Sequence, residues 1–123
     1  MGKTAVFVLT ILNRIQATDN ECTALIISHT RELAIQISNE FIRFSTGMDG
    51  VNTCCLYGGD KIENQIALLK EKKPKIVVGT PGRLLALIKK GILPSANVNM
   101  FVLDECDKIL GAMGIFFIKK NKI

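Results

Sequence analysis

Apolar residues are gathered along this chain into blocks rather than alternating with polar ones. Four blocks are short and almost continuously apolar: Thr23–Ser28 (TALIIS), Thr53–Tyr57 (TCCLY), Lys75–Gly79 (KIVVG) and Met100–Asp104 (MFVLD). Such runs suit strands covered on both faces, as in a parallel sheet, because a strand with one wet face alternates instead. The segments between them carry apolar residues at helical spacing. Leu33, Ile37, Phe41 and Phe44 share one face of a helix from about Arg31 to Ser45. Ile62, Ile66 and Leu69 do so from Lys61 to Lys72, and Leu84, Leu87 and Ile88 from Pro81 to Lys90. Each is the stripe by which a helix packs on a core. Residues Thr4 to Ile15 also read as a helix, apolar nearly all round, which predicts a deeply buried element.

Helix then strand, repeated four times, predicts an α/β fold: a parallel sheet with helices on both faces and right-handed crossovers. The breaks at Gly47–Gly50, Gly58–Gly59 and Gly91–Ala96 are loops within one domain rather than linkers. A chain of 123 residues with 48% apolar and 22% charged composition builds one globular core and is not a disordered sequence. Its longest nearly apolar run, Ala5 to Leu12, is far shorter than the ~20 residues a bilayer span requires, so no membrane partner is expected. No basic region or small-residue cleavage site marks a secretion signal. Cys22, Cys54, Cys55 and Cys106 form no C-x-x-C pair and have a single histidine for company. That argues against zinc and against a disulfide framework, leaving reduced thiols of an intracellular protein. The net charge of +5 and pI near 9.2 are compatible with a polyanionic partner without singling one out.

Three stretches carry chemistry. The chain opens Met1-Gly2-Lys3-Thr4, the closing letters of the phosphate-binding pattern G-x-x-x-x-G-K-S/T. In that pattern backbone N–H groups and a helix N-terminus hold phosphates, the lysine reaches the β and γ oxygens, and the hydroxyl ligates Mg²⁺. Gly2, Lys3 and Thr4 lead into an apolar helix, which is the right context; alone, the triplet also fits an ordinary N-terminal lysine. Second, the apolar strand ending at Asp104 and Glu105 puts carboxylates where open α/β sheets bind ligands. Asp104 can hold Mg²⁺ and Glu105 can orient or deprotonate an attacking water. An acidic helix start that suits the helix dipole is the competing reading. Third come two strand-to-helix turns, SHTRELA (Ser28–Ala34) and GTPGR (Gly79–Arg83). Thr30 and Thr80 are natural N-caps and Pro81 a natural first helical residue. Two helix N-termini at one sheet edge, each with an arginine (Arg31, Arg83), make a track for a phosphodiester backbone. Gly58 and Gly59 allow close backbone approach beside it. Either turn alone reads equally as a capped helix with a solvated arginine.

In this order and spacing, GKT, TRELA, GG, TPGR and DECD resemble the first RecA-like domain of a DEAD-box RNA helicase. The resemblance runs from Gly2 to about Leu110, giving a partial RecA-like P-loop NTPase domain (1–110) and an atypical tail (111–123). His29 before Thr-Arg-Glu-Leu-Ala, and Cys106 in the Asp-Glu-Cys-Asp box, are similar to the DECD-box branch, nuclear helicases of mRNA splicing and export. The resemblance implies ATP and Mg²⁺ as cofactors, with Lys3 and Thr4 at the phosphates and metal, and Asp104 and Glu105 at the metal and the hydrolytic water. It implies that Thr30, Arg31, Gly59, Thr80 and Arg83 line an RNA backbone without reading bases, and that splicing or export proteins are partners. Asp107 would couple nucleotide state to a Ser-Ala-Thr motif, which these residues do not contain. His29 either touches RNA or packs beside its turn, and Cys106 is a small filler.

Family members hydrolyse ATP between two RecA-like domains, and the second, with its arginine finger, is not found in these 123 residues. A fragment of an RNA-stimulated ATPase is therefore expected, binding nucleotide and RNA weakly with little or no turnover. A non-catalytic remnant that holds RNA or a partner is the alternative. A transport or recombination ATPase is disfavoured, because TPGR and TRELA have no role there.

Overall fold

The computed structural model describes residues 2–15, 22, 24–93, 100–104 and 114–116. Along the chain these form α1 (Gly2–Arg14), β1 (Ala24–Ser28), α2 (Arg31–Phe44), β2 (Thr53–Leu56), α3 (Ile62–Lys72), β3 (Ile76–Gly79), α4 (Pro81–Lys89), β4 (Met100–Asp104) and β5 (Gly114–Phe116). The first eight follow the expected order, with ends displaced by a residue or two. The sheet runs β2-β3-β1-β4-β5. Strands β1 to β4 are mutually parallel, as their buried apolar runs require. Strand β5 lies antiparallel against β4, pairing Gly114 with Leu103 and Phe116 with Phe101.

Alternation along the strands divides the core in two. Ala24, Ile26, Ile76 and Val78 face one way and are buried under Phe7, Val8, Ile11 and Leu12 of α1 and Ala34, Ile37 and Phe41 of α2. The Phe7 ring meets Phe41 edge-on, centroids 5.9 Å apart. Leu25, Val77, Cys54 and Leu56 face the other way, under Leu69 of α3 and Leu84 and Leu87 of α4. Each fully buried Leu, Ile or Phe here contributes about 1.5–3 kcal/mol over an exposed one. Two helices cover each face, so the sheet is the middle layer of an α/β sandwich.

Helix α1 departs from expectation. Its stripe Phe7, Val8, Ile11 and Leu12 is buried, but Val6 and Leu9 are 65% and 44% exposed. The helix packs on α2 and the sheet through one side only, and an apolar far side does not by itself bring a second layer. Strand β5 is the other difference. Three residues are too few to show a period, so the sequence around Gly114 had no legible element. Cys22, Cys54 and Cys55 are free thiols. Burial pushes the Cys22 thiol up to about 12 and Cys55 up to about 11. Among the described residues no helix is long and apolar enough to cross a membrane.

Candidate functional site

Because β1 to β4 are parallel and in near register, their carboxyl ends reach the same edge of the sheet. Ser28 pairs with Asp104, Ile27 with Gly79, and Leu56 with Gly79. Three strand-to-helix turns leave from that edge.

In the first turn, Thr30 is extended (φ −120°, ψ 151°), and its hydroxyl accepts a hydrogen bond from the Leu33 N–H. This is the expected N-cap, and it satisfies one of the helix's orphan donors. In the third turn, Thr80 has the same extended geometry and Pro81 opens α4, but the Thr80 hydroxyl makes no capping bond. Thr80 is tied by its backbone instead: its N–H donates to the Leu56 carbonyl at 3.1 Å, and its own carbonyl accepts from Leu84. The second turn, Tyr57 to Lys61, carries Gly59 at φ +99°, a left-handed conformation that glycine adopts without strain. Here α3 has no side-chain cap, and Asp60 braces its approach instead, its Oδ1 accepting from the Lys61 N–H at 2.8 Å and from Asn64 Nδ2 at 3.1 Å.

Side chains lace the three turns together. The Arg31 guanidinium lies over the Tyr57 ring, 5.5 Å from its centroid. It is so close to the glycine pair that a Cβ on Gly59 would sit 3.3 Å from Arg31 Nη1. From the other side, Arg83 donates through Nη1 to Gln65 Oε1 at 2.8 Å and through Nη2 to the Asp60 carbonyl at 2.9 Å. Gln65, only 4% exposed, donates in turn to the Tyr57 carbonyl at 3.0 Å. The second turn is thus clasped between two cations. Those bonds use two of the five N–H donors of Arg83, and the guanidinium keeps its charge.

Thr30, Arg31, Gly59, Thr80 and Arg83 are therefore brought to one edge, as the sequence suggested. Two of the five have a further role there: both arginines also hold the glycine turn. His29 is exposed and does not enter the core. Gly2, Lys3 and Thr4 form the first turn of α1, and Asp104 closes β4. Glu105, Cys106 and Asp107 lie outside the described residues. Among the described residues, no three His, Cys, Asp or Glu side chains gather as a metal cluster.

Sequence reasoning passed over Tyr57, Asp60 and Gln65. Gln65 did leave a signal: it shares the inward spacing of Ile62, Ile66 and Leu69. A glutamine in an apolar stripe must find partners for both ends of its amide.

The sequence pattern of the DEAD/DEAH box helicases matches residues 1–117. Over 116 residues the chain is 53% identical to an ATP-dependent RNA helicase sub2 of Aspergillus fumigatus, covering 93% of this chain and 26% of that protein. In structure it is similar to a DEAD box protein of the hyperthermophile Methanococcus jannaschii, with TM-score 0.77 and 40% identity, covering 89% of this chain and 29% of that one. The yeast DEAD-box splicing factor Prp28 follows the same trace with TM-score 0.71 and 30% identity, 89% of this chain against 27% of that one. The chain thus spans about a quarter of the length of the curated relative it matches.

Proposed function

The chain belongs to the DEAD/DEAH box helicase family, and on that premise we propose that it supplies part of the ATP- and RNA-binding half of an RNA-stimulated ATPase that separates short duplexes. The observation that carries the reading is the clasp of Arg31 and Arg83 around the Gly58–Gly59 turn. It sets two cations and two helix N-termini along one sheet edge, a surface suited to phosphates and indifferent to bases. Thr30, Gly59 and Thr80 line the same track, and its contacts are with the RNA backbone.

ATP would be held at Gly2, Lys3 and Thr4, with Asp104 and Glu105 serving the metal and the attacking water. The Thr4 hydroxyl and Asp104 carboxylate are hard oxygen donors, the chemistry Mg²⁺ selects, and the ion would neutralise phosphate charge during transfer. Glu105 orients and deprotonates the attacking water, and Asp107 links nucleotide state to the rest of the enzyme. The close match to sub2 and the Asp-Glu-Cys-Asp box support a nuclear role in mRNA splicing or export, with proteins of those pathways as partners.

Phosphate release by the 123-residue chain, with and without single-stranded RNA, tests this division of labour. No stimulated turnover is expected from a quarter of the enzyme; turnover abolished by Glu105→Gln would refute that. The arginine clasp also favours a second reading, a non-catalytic RNA-holding remnant. In that case RNA affinity survives Lys3→Ala and falls with Arg83→Ala, whereas equal losses would count against it.

A further inference from the structure

We infer that Gln65 is a positioning residue for RNA: it sets the Arg83 guanidinium and the Gly58–Gly59 turn as one rigid phosphate-binding edge. The inference rests on the RNA reading above and adds a residue to it. Gln65 sits on α3, the helix entered from the glycine turn, and Arg83 on α4, the helix entered from β3. Its amide joins the two, accepting from Arg83 Nη1 at 2.8 Å through Oε1 and donating to the Tyr57 carbonyl at 3.0 Å through Nε2.

The chemistry of the neighbours leaves the amide no choice of orientation. Arginine is a donor only and a carbonyl an acceptor only, so the oxygen must face Arg83 and the nitrogen must face Tyr57. A glutamate can accept from Arg83 but has nothing to give the Tyr57 carbonyl, and its charge would cancel the cation. A methionine fills the space and does neither. At 4% exposure the amide is shielded from water, which cannot stand in for its two bonds.

Arg83 is gripped twice, by Gln65 and by the Asp60 carbonyl, and both grips come from the chain that leaves Gly59. The fork is therefore fixed relative to the turn before any ligand arrives, and little side-chain ordering is left for binding. Without Gln65 the fork keeps its charge but loses its bearing, and the turn loses its inward anchor.

The test is a double-mutant cycle on the 123-residue chain, read by anisotropy of a labelled uridine oligonucleotide over a range of salt. Arg83→Ala is expected to weaken binding about tenfold and to flatten the salt dependence by about one phosphate contact. Gln65→Met should weaken it about fivefold with the salt slope nearly kept, since the charge remains. On the Arg83→Ala background, Gln65→Met should cost little more, because its effect passes through the arginine. Gln65→Glu should bind weakly with the flattened slope of Arg83→Ala, and it decides the matter should the methionine variant not fold. Equal losses from Gln65→Met in both backgrounds, or wild-type affinity in Gln65→Glu, would overturn the role assigned to Gln65 alone. Failure of the wild-type chain to bind RNA, or binding indifferent to Arg83→Ala, would overturn the RNA reading as well.

Discussion

Two adjacent glycines should respond in opposite ways to the same added methyl group. Gly59 is held at φ +99°, and a Cβ there would come within 3.3 Å of Arg31 Nη1; Gly58 has no positive φ, and a Cβ on it would meet nothing within 4 Å. An alanine forced into a left-handed conformation costs about 1–2 kcal/mol. The crowded atom is the far end of a flexible side chain, so the contact itself adds little energy, but relieving it moves the guanidinium off the Tyr57 ring. At Gly58 no strain arises, and the stiffer unfolded chain stabilises Gly58→Ala by up to about 1 kcal/mol. That gain is common to both substitutions, so the two variants should differ by the strain at Gly59, about 1–2 kcal/mol, or roughly 3–10 °C in Tm for a domain of this size. Urea titrations followed by circular dichroism read the difference directly, with the m-value unchanged in both. Coincident midpoints for Gly58→Ala and Gly59→Ala would refute the account of this turn. So would a Gly58→Ala variant that is the weaker of the two.

Three further outcomes follow from single residues. Thr30→Ala should lower stability by about 1 kcal/mol by removing the cap on the Leu33 N–H, and Thr30→Ser should restore it; equal urea midpoints for all three proteins would contradict the cap. Lys75 is 2% exposed, and its Nζ has no hydrogen-bond partner among the described residues. Lys75→Met, keeping the hydrocarbon and removing the charge, should raise stability by about 1–3 kcal/mol, and a lowered Tm would contradict this. Cys22, pushed up by burial to about 12 from 9.0, keeps its proton when folded at pH values where the unfolded chain releases it. Its stabilising contribution is complete below pH 9 and is lost as pH rises from 9 towards 12. The slope is a little over 1 kcal/mol per pH unit. Cys22→Ala should flatten the stability profile over that window; an unaltered slope would refute the argument.

The parallel core was legible because its strands are buried on both faces. Ala24 to Ile27 and Ile76 to Val78 meet helices above and below, so the apolar run is unbroken and cannot be mistaken for a wet-faced strand. The turns were legible too, since Thr30 and Pro81 are residues that helix starts select for a stated reason. Burial of α1 was not, because Val6 and Leu9 look alike whether or not a neighbour covers them. The clasp was hidden for a different reason. Arg31 stacks on a tyrosine from another turn, and Arg83 bonds a glutamine 18 positions away in sequence. Such contacts depend on strand order, which periodicity does not encode. Within α3 alone, Gln65 was a single polar residue out of place, and only the fold supplied its partners.

Strand β5 also bears on how this chain keeps apart from its own copies. By pairing with Phe101 to Leu103 it turns β4 into an interior strand. Among the described residues the sheet's outer strands are then β2 and β5, four and three residues long. Unpaired N–H and C=O groups on an edge strand are templates for another chain, and short edges offer few of them. Deleting residues 114–116 would leave the five-residue β4 as the outer strand in place of a three-residue one. A shortened chain should accordingly associate at lower concentrations, and the sheet's length of open edge, rather than its core, would set its solubility.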